Sequence, residues 1–115
     1  MSDLSLNAPG LFNLTGRTAM VTGAGSGIGQ RIAIGLAQCG ADVALLDQRT
    51  DGGLNYTAEA VAKAGRKSLQ IAADVTSSEA LADAVAQTET ELGPLRLALN
   101  AAGIANAAAI EVMPE

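Results

Sequence analysis

The chain has 115 residues, enough for a single domain with one core. Hydrophobic residues make up 49% of it and aromatic residues only 2%, so the core must be built from small aliphatic side chains. The net charge of −5 argues against a nucleic-acid or anionic-membrane partner. A single cysteine excludes an internal disulfide, and the absence of histidine disfavours zinc and iron sites. With no signal peptide or membrane span in its pattern, the sequence predicts a soluble cytoplasmic protein.

The predicted elements begin after a polar arm over residues 1–13, and residues 14–115 are predicted to form one domain. The short apolar run Thr18–Thr22 predicts a first strand that ends at a glycine cluster. A helix is predicted over residues 27–38. Apolar side chains at helical spacing predict its core-facing side, namely Ile28, Ile32, Ala33 and Leu36.

Glycine and aspartate mark the boundaries of the next two elements. Gly40 stands where a left-handed C-terminal cap is needed after the first helix. Asp42–Leu46 predicts the second strand, which Asp47 ends. A second helix is predicted over residues 55–64, and Gly65 stops it.

The last elements repeat this alternation. Ser68–Ala72 predicts the third strand, and the Thr76–Glu79 segment has the capping-box spacing of a helix start. That helix is expected to end at the Gly-Pro pair at 93–94. Leu95–Asn100 predicts the fourth strand, followed by a loop.

Four apolar strands alternating with three helices indicate an α/β fold, a Rossmann-like doubly wound parallel sheet. Right-handed crossovers predict the strand order 3-2-1-4. The fourth strand would then be a long apolar edge, which folded proteins avoid. We therefore expect further strands to complete the sheet.

The loop between the first strand and the first helix has the spacing T-G-x-x-x-G-x-G over Thr22–Gly29. Glycines let backbone N–H groups approach a dinucleotide pyrophosphate, and the helix N-terminus favours its negative charge. Ser26 is predicted either to donate to phosphate or only to cap the helix. The alternative, an ordinary tight turn, is disfavoured by the flanking strand and helix. The predicted pyrophosphate site consists of Gly23, Gly25, Ser26, Gly27, Ile28 and Gly29.

Asp47 follows Gly23 by 24 positions, close to the offset of the acid that hydrogen-bonds an adenosine ribose. A carboxylate there accepts from ribose hydroxyls and repels a 2′-phosphate, so it predicts NAD as the cofactor. Neither Ser26 nor Gln48 supplies a cation for that phosphate. Arg49 lies one place further on, so NADP is disfavoured but stays open, and a simple strand-end turn is the other interpretation of the acid.

These motifs resemble the N-terminal half of the short-chain dehydrogenase/reductase family. The resemblance extends from the entry into the first strand, Leu14–Gly23, through the glycine fingerprint. It continues with Ala73–Val75 after the third strand and Asn100–Gly103 after the fourth. Singly, these last two segments would equally suit a helix cap and a strand-end turn, but four motifs in order favour the family.

The resemblance implies further cofactor contacts. Asp74 and Val75 would contact the adenine ring, while Asn100, Ala102 and Gly103 would lie along the ribose and nicotinamide. Ala101 stands where the family has a second asparagine, so any side-chain hydrogen bond from that position is lost.

The same resemblance implies an NAD-dependent oxidoreductase that transfers a hydride between nicotinamide and a secondary alcohol or ketone, polyols and sugars included, in a homodimer or homotetramer. Its chemistry needs a tyrosine, a lysine four residues later, a serine and an asparagine. The one tyrosine, Tyr56, is followed at that spacing by Ala60. We therefore predict no catalytic residue within 1–115 and expect these groups in the remaining C-terminal part of the enzyme. The alternatives are a non-catalytic dinucleotide-binding sensor or scaffold, and an S-adenosylmethionine methyltransferase, which the short loop disfavours.

Overall fold

Four parallel strands alternate with three helices in a computed structural model that describes residues 13–50 and 52–101. Almost all of the predicted arm, and the predictions for Ala102 and Gly103, lie outside the described residues. The elements are β1 (Thr18–Thr22), α1 (Gly27–Gln38), β2 (Asp42–Asp47), α2 (Gly53–Lys63), β3 (Ser68–Ala72), α3 (Ser78–Glu91) and β4 (Leu95–Asn100).

The sheet has the predicted order β3-β2-β1-β4, with every pairing parallel, which confirms the Rossmann-like α/β architecture. At its carboxyl edge Thr22 of β1 aligns with Leu46 of β2 and with Asn100 of β4, while Asp47 aligns with Ala72 of β3. Because all strands run the same way, the four segments that follow them meet at one edge. That edge therefore carries the described part of every predicted cofactor motif.

The core lies on both faces of the sheet, because successive strand residues point to opposite sides. On one face Val21 and Leu45 pack with Val61 and with the small residues of α1. On the other face Met20 and Leu46 pack towards α3. The central strands β1 and β2 are almost wholly buried, whereas β4 is half-buried and forms an edge of the sheet within the described residues. A core on both faces of the sheet thus supports the carboxyl edge.

The predicted core face of α1 is wrong at one residue. Ile28 is 48% exposed, and the buried positions of the helix are Gly29, Ala33 and Ala37. These three residues follow one another at intervals of four positions, so they form one line of small residues along the buried face of the helix. Ile28 lies about 100° from that line around the helix axis. The apolar pattern predicts Ile28 on that face only because its side chain is apolar. Its side chain instead lines the cavity described below.

The start of α3 differs from the predicted capping box. Ser77, not Thr76, is the N-cap, and its Oγ accepts from the Ala80 N–H at 3.1 Å. The Thr76 hydroxyl donates instead to Asp74 Oδ1 at 2.6 Å. Both Thr76 and Ser77 have a hydroxyl that can cap a helix. The Thr76 hydroxyl is used in the turn after β3, so the cap is formed by Ser77.

Helix and strand ends otherwise follow the predicted glycines and aspartates. Gly40 has a φ of +107° after α1, and a Cβ there would come within 2.8 Å of the Thr15 backbone nitrogen, so only glycine fits. Helix α2 begins two residues earlier than predicted, at Gly53. No helix in the described part of the chain is long and apolar enough to cross a membrane.

Candidate functional site

A cavity of about 470 Å³ opens at the carboxyl edge of the sheet, between the glycine loop and the ends of β2, β3 and β4. The structure brings most of the described cofactor-binding predictions into its wall. Gly25, Asp74 and Asn100 lie beside it. The lining consists of Gly23, Ser26, Gly27, Ile28, Gly29, Asp47, Gln48, Ala73, Val75 and Ala101.

The glycine loop needs its glycines for two separate physical reasons. Gly23 and Gly27 have φ angles of +68° and +56°, in the left-handed region that side chains disfavour. Gly29 has an ordinary φ, but a Cβ there would overlap the carbonyl oxygen of Gly23 and approach the Ala101 methyl at 3.2 Å. The loop is therefore folded tightly against the first turn of α1, and Gly23, Gly27 and Gly29 place no side chain between the backbone and the cavity.

The N-terminus of α1 faces this cavity. Ser26 is its N-cap residue, has extended backbone angles and makes no side-chain capping bond, so the capping alternative is not observed. The first turn of the helix carries no acidic residue. Because the first backbone N–H groups of a helix lack internal acceptors and carry partial positive charge, the arrangement suits a phosphate group.

Asp47 is held by the backbone on both of its carboxylate oxygens. Oδ2 accepts from the Gly25 N–H at 2.9 Å, and Oδ1 accepts from the Gln48 N–H at 2.8 Å. A Cβ on Gly25 would come within 2.8 Å of Oδ2, so the close approach depends on glycine. Each oxygen keeps a second lone pair. The carboxylate is thus fixed at the cavity wall and can accept further hydrogen bonds from a ligand hydroxyl.

The turn after β3 contributes a wall and a rim. Ala73 and Val75 line the cavity, whereas Asp74 is exposed beside it. The hydroxyl and then the N–H of Thr76 donate to Asp74 Oδ1, and these bonds hold the pKa of the carboxyl below its ordinary value. The carboxylate therefore stabilises the turn.

The end of β4 completes the cavity. The Thr22 hydroxyl donates to Asn100 Oδ1 at 2.8 Å, which ties the carboxyl ends of β1 and β4 together. Ala101 is only 9% exposed and lies against Gly29. Its small side chain fits the narrow space beside the glycine loop.

The charge of the described lining bears on ligand choice. Among the lining residues named above, Asp47 is the only charged side chain, and none is a lysine or arginine. Tyr56, on α2, is 56% exposed and is not part of the lining. Within the described ranges, no three acidic or cysteine side chains come together as a metal site would need.

Two residues beside the site were missed by sequence reasoning. Gln30 and Thr57 hydrogen-bond to the carbonyls of the glycine loop from α1 and α2. Nothing in the spacing marks them, because both look like ordinary helix residues and meet only when the two helices pack. Three further lining residues, Gln48, Ala73 and Ala101, are also absent from the predicted contacts, although each adjoins a predicted residue.

Comparison with known proteins gives concordant matches. A family model described as short chain dehydrogenase matches residues 17–115. Gluconate 5-dehydrogenase of Gluconobacter oxydans is 39% identical over 106 residues, covering 92% of this chain and 41% of that protein. The structure of a short-chain type dehydrogenase/reductase from Mycobacterium marinum superposes with a TM-score of 0.72 at 38% identity, covering 76% of this chain and 35% of that one.

A third match was solved with a cofactor. Carveol dehydrogenase from Mycobacterium avium, in complex with NAD, gives a TM-score of 0.69 at 30% identity, covering 75% of this chain and 35% of that one. The chain therefore spans less than half the length of each of these three relatives.

Proposed function

Because the chain belongs to the short-chain dehydrogenase family, we propose that it supplies the cofactor-binding half of an NAD-dependent oxidoreductase. The reaction is hydride transfer between nicotinamide and a secondary alcohol or ketone. The observation that carries the choice of NAD is the carboxylate of Asp47, held at the cavity wall by the N–H groups of Gly25 and Gln48. The NAD complex of the related carveol dehydrogenase supports the same choice.

The described residues fit a dinucleotide in shape and charge. The glycine loop and the N-terminus of α1 would hold the pyrophosphate, since Gly23, Gly27 and Gly29 carry no Cβ and the first turn has no acidic side chain. Asp47 would accept hydrogen bonds from the adenosine ribose, and its charge would repel a 2′-phosphate. Ala73 and Val75 would flank the adenine, with the exposed Asp74 at the rim.

When bound, the nicotinamide accepts or donates the hydride, and this chain's own part is to hold the cofactor. Asn100, Ala102 and Gly103 would lie along the nicotinamide ribose, with Ala101 closing the cavity against Gly29. The proton on the substrate oxygen needs an acid/base group. We assign that step to a tyrosine, lysine and serine in the remaining part of the enzyme.

A polyol or sugar-like alcohol is the proposed substrate class, supported by the similarity to gluconate 5-dehydrogenase. Assembly as a homodimer or homotetramer and a cytoplasmic location are proposed on the same family basis.

The test is calorimetric titration of the complete protein with NAD, NADP and S-adenosylmethionine. NAD should bind at least about tenfold more tightly than NADP, a difference of about 1.4 kcal/mol, and S-adenosylmethionine should not bind. Tighter binding of NADP would contradict the assignment to Asp47. Binding of S-adenosylmethionine alone would contradict the oxidoreductase. A screen of polyols for NAD reduction then separates an enzyme from a non-catalytic sensor.

A further inference from the structure

Two polar side chains from different helices meet directly behind the glycine loop. Gln30 Nε2 on α1 donates to Thr57 Oγ1 on α2 at 2.9 Å, and it also lies 3.1 Å from the Gly53 carbonyl oxygen. It lies 3.4 Å from the carbonyl oxygen of Gly25, within the loop itself. Thr57 is completely buried, and its hydroxyl donates to the Ala24 carbonyl at 2.8 Å.

The direction of these bonds leaves one arrangement of the Gln30 amide. Two of its neighbours are backbone carbonyls, which can only accept hydrogen bonds, so the amide nitrogen must face them. The third neighbour is the Thr57 hydroxyl, which has the Ala24 carbonyl at 2.8 Å and the Gly53 carbonyl at 3.0 Å as acceptors, the Ala24 carbonyl being the nearer. The two amide protons of Gln30 have their nearest acceptors in Thr57 Oγ1 and the Gly53 carbonyl, with the Gly25 carbonyl further away at 3.4 Å. The Gln30–Thr57 pair therefore holds the Ala24 carbonyl of the loop through Thr57, and Gln30 in turn fixes the Thr57 side chain.

The peptide units around Gly25 are consequently held from both sides. On one side the Gly25 N–H donates to Asp47 Oδ2 at 2.9 Å. On the other its carbonyl faces Gln30 and presses against the Cα of Gly53, where a Cβ would overlap it. Because a peptide unit is planar, holding the Ala24 carbonyl also fixes the direction of the Gly25 N–H. The direction of that N–H in turn fixes Asp47 Oδ2.

We propose that the Gln30–Thr57 pair positions the Asp47 carboxylate, through the Gly25 peptide, and thereby sets the preference for NAD over NADP. The inference rests on the proposed function, since it assigns Asp47 to the adenosine ribose. Gln30 and Thr57 touch no ligand in this proposal. They are positioning residues that act from behind the loop.

A purely structural role, tying α1 to α2, gives a different experimental result. Loss of such a tie lowers thermal stability but leaves the ratio of the NADP and NAD dissociation constants unchanged. Loss of positioning changes that ratio, because a displaced Asp47 weakens NAD binding and repels a 2′-phosphate less. The ratio is therefore the decisive measurement.

The experiment compares four variants of the complete protein with the wild type. Gln30→Ala removes the amide, and Thr57→Val removes the hydroxyl at nearly constant volume. Thr57→Ser keeps the hydroxyl, and Gln38→Ala changes an exposed glutamine at the other end of α1. Dissociation constants for NAD and NADP are measured by calorimetry, beside thermal unfolding of each variant.

We expect Gln30→Ala and Thr57→Val to lower the ratio of the NADP dissociation constant to the NAD dissociation constant about tenfold, equivalent to about 1.4 kcal/mol. Thr57→Ser and Gln38→Ala should keep the wild-type ratio. Gln30 is only half-buried and alanine has a high helix propensity, so we expect Gln30→Ala to fold. This variant alone is sufficient for the test if Thr57→Val does not fold.

An unchanged ratio in Gln30→Ala, with or without a lower melting temperature, overturns the positioning role while leaving the proposed function intact. A wild-type protein that binds neither dinucleotide overturns both. The two failures are therefore distinguishable from one set of titrations.

Discussion

The substitution Asp47→Asn tests the central feature of the site with a single change of charge. In the wild type, two backbone N–H groups donate to separate carboxylate oxygens, from Gly25 at 2.9 Å and from Gln48 at 2.8 Å. An asparagine keeps one acceptor oxygen and places an NH₂ group where the other was. One of the two N–H groups then faces a donor, so the side chain must rotate away or leave that N–H without its partner.

The magnitude follows from these bonds. A hydrogen bond to a charged group contributes about 1.5–3 kcal/mol, so loss of the charged acceptor should weaken NAD binding about 10-fold to about 150-fold. NADP should bind more tightly, by about fivefold, because roughly 1 kcal/mol of screened repulsion between carboxylate and 2′-phosphate disappears. The ratio of the two dissociation constants should therefore change by on the order of 100-fold.

Calorimetry with both dinucleotides, at low and high salt, measures these effects separately. In the wild type, high salt should narrow the discrimination against NADP, since added ions screen the repulsive part. The Asp47→Asn variant should show much less of this salt effect. A variant that folds and keeps the wild-type affinities for both dinucleotides would refute the assignment of Asp47 to the ribose.

Four further substitutions test the glycine loop, helix α1, the cap of α3 and the turn after β3. Gly29→Ala should abolish tight NAD binding, because the new methyl group overlaps the carbonyl oxygen of Gly23. In Gly35→Ala, the control on the same helix, the new methyl group has no neighbouring atom within 4 Å, so the free energy of unfolding should rise by about 0.5–1 kcal/mol. Ser77→Ala should lower the free energy of unfolding by about 1 kcal/mol through loss of the α3 cap, as measured by urea denaturation. Thr76→Val should raise the pKa of Asp74 towards its ordinary value, measured by carbon NMR of the carboxyl. A carboxyl whose pKa is lowered in the folded state stabilises the fold at any pH above its pKa in the unfolded chain. Thr76→Val should therefore be less stable than the wild type at neutral pH, and this difference should disappear as the pH falls through the lowered pKa of Asp74.

The strands and their order could be predicted because each is a short apolar run with clear ends. Strands β1, β3 and β4 have their predicted bounds, and β2 extends one residue further to include Asp47. Glycines such as Gly40 and Gly65 end the preceding turns with positive φ angles. The parallel order then follows from the alternation with helices and the handedness of crossovers.

The two errors have a common physical origin. An apolar side chain at a cavity has the same sequence pattern as one in the core, so the pattern predicts Ile28 on the core face of α1 although it lines the cavity. Likewise Thr76 and Ser77 are chemically equivalent caps, and only the turn after β3 decides between them. In both cases the deciding contact comes from a neighbouring segment.

This difference explains why the motifs of the site could be predicted but its support could not. Parallel strands bring the segments that follow them to one edge, so Gly23, Asp47 and Val75 converge on one cavity wherever their strands align. Gln30 and Thr57 meet only through the packing of α1 against α2, and no local pattern encodes that contact. Sequence motifs therefore identify residues that line the cavity, whereas the residues that hold those groups in place emerge only from the packed structure.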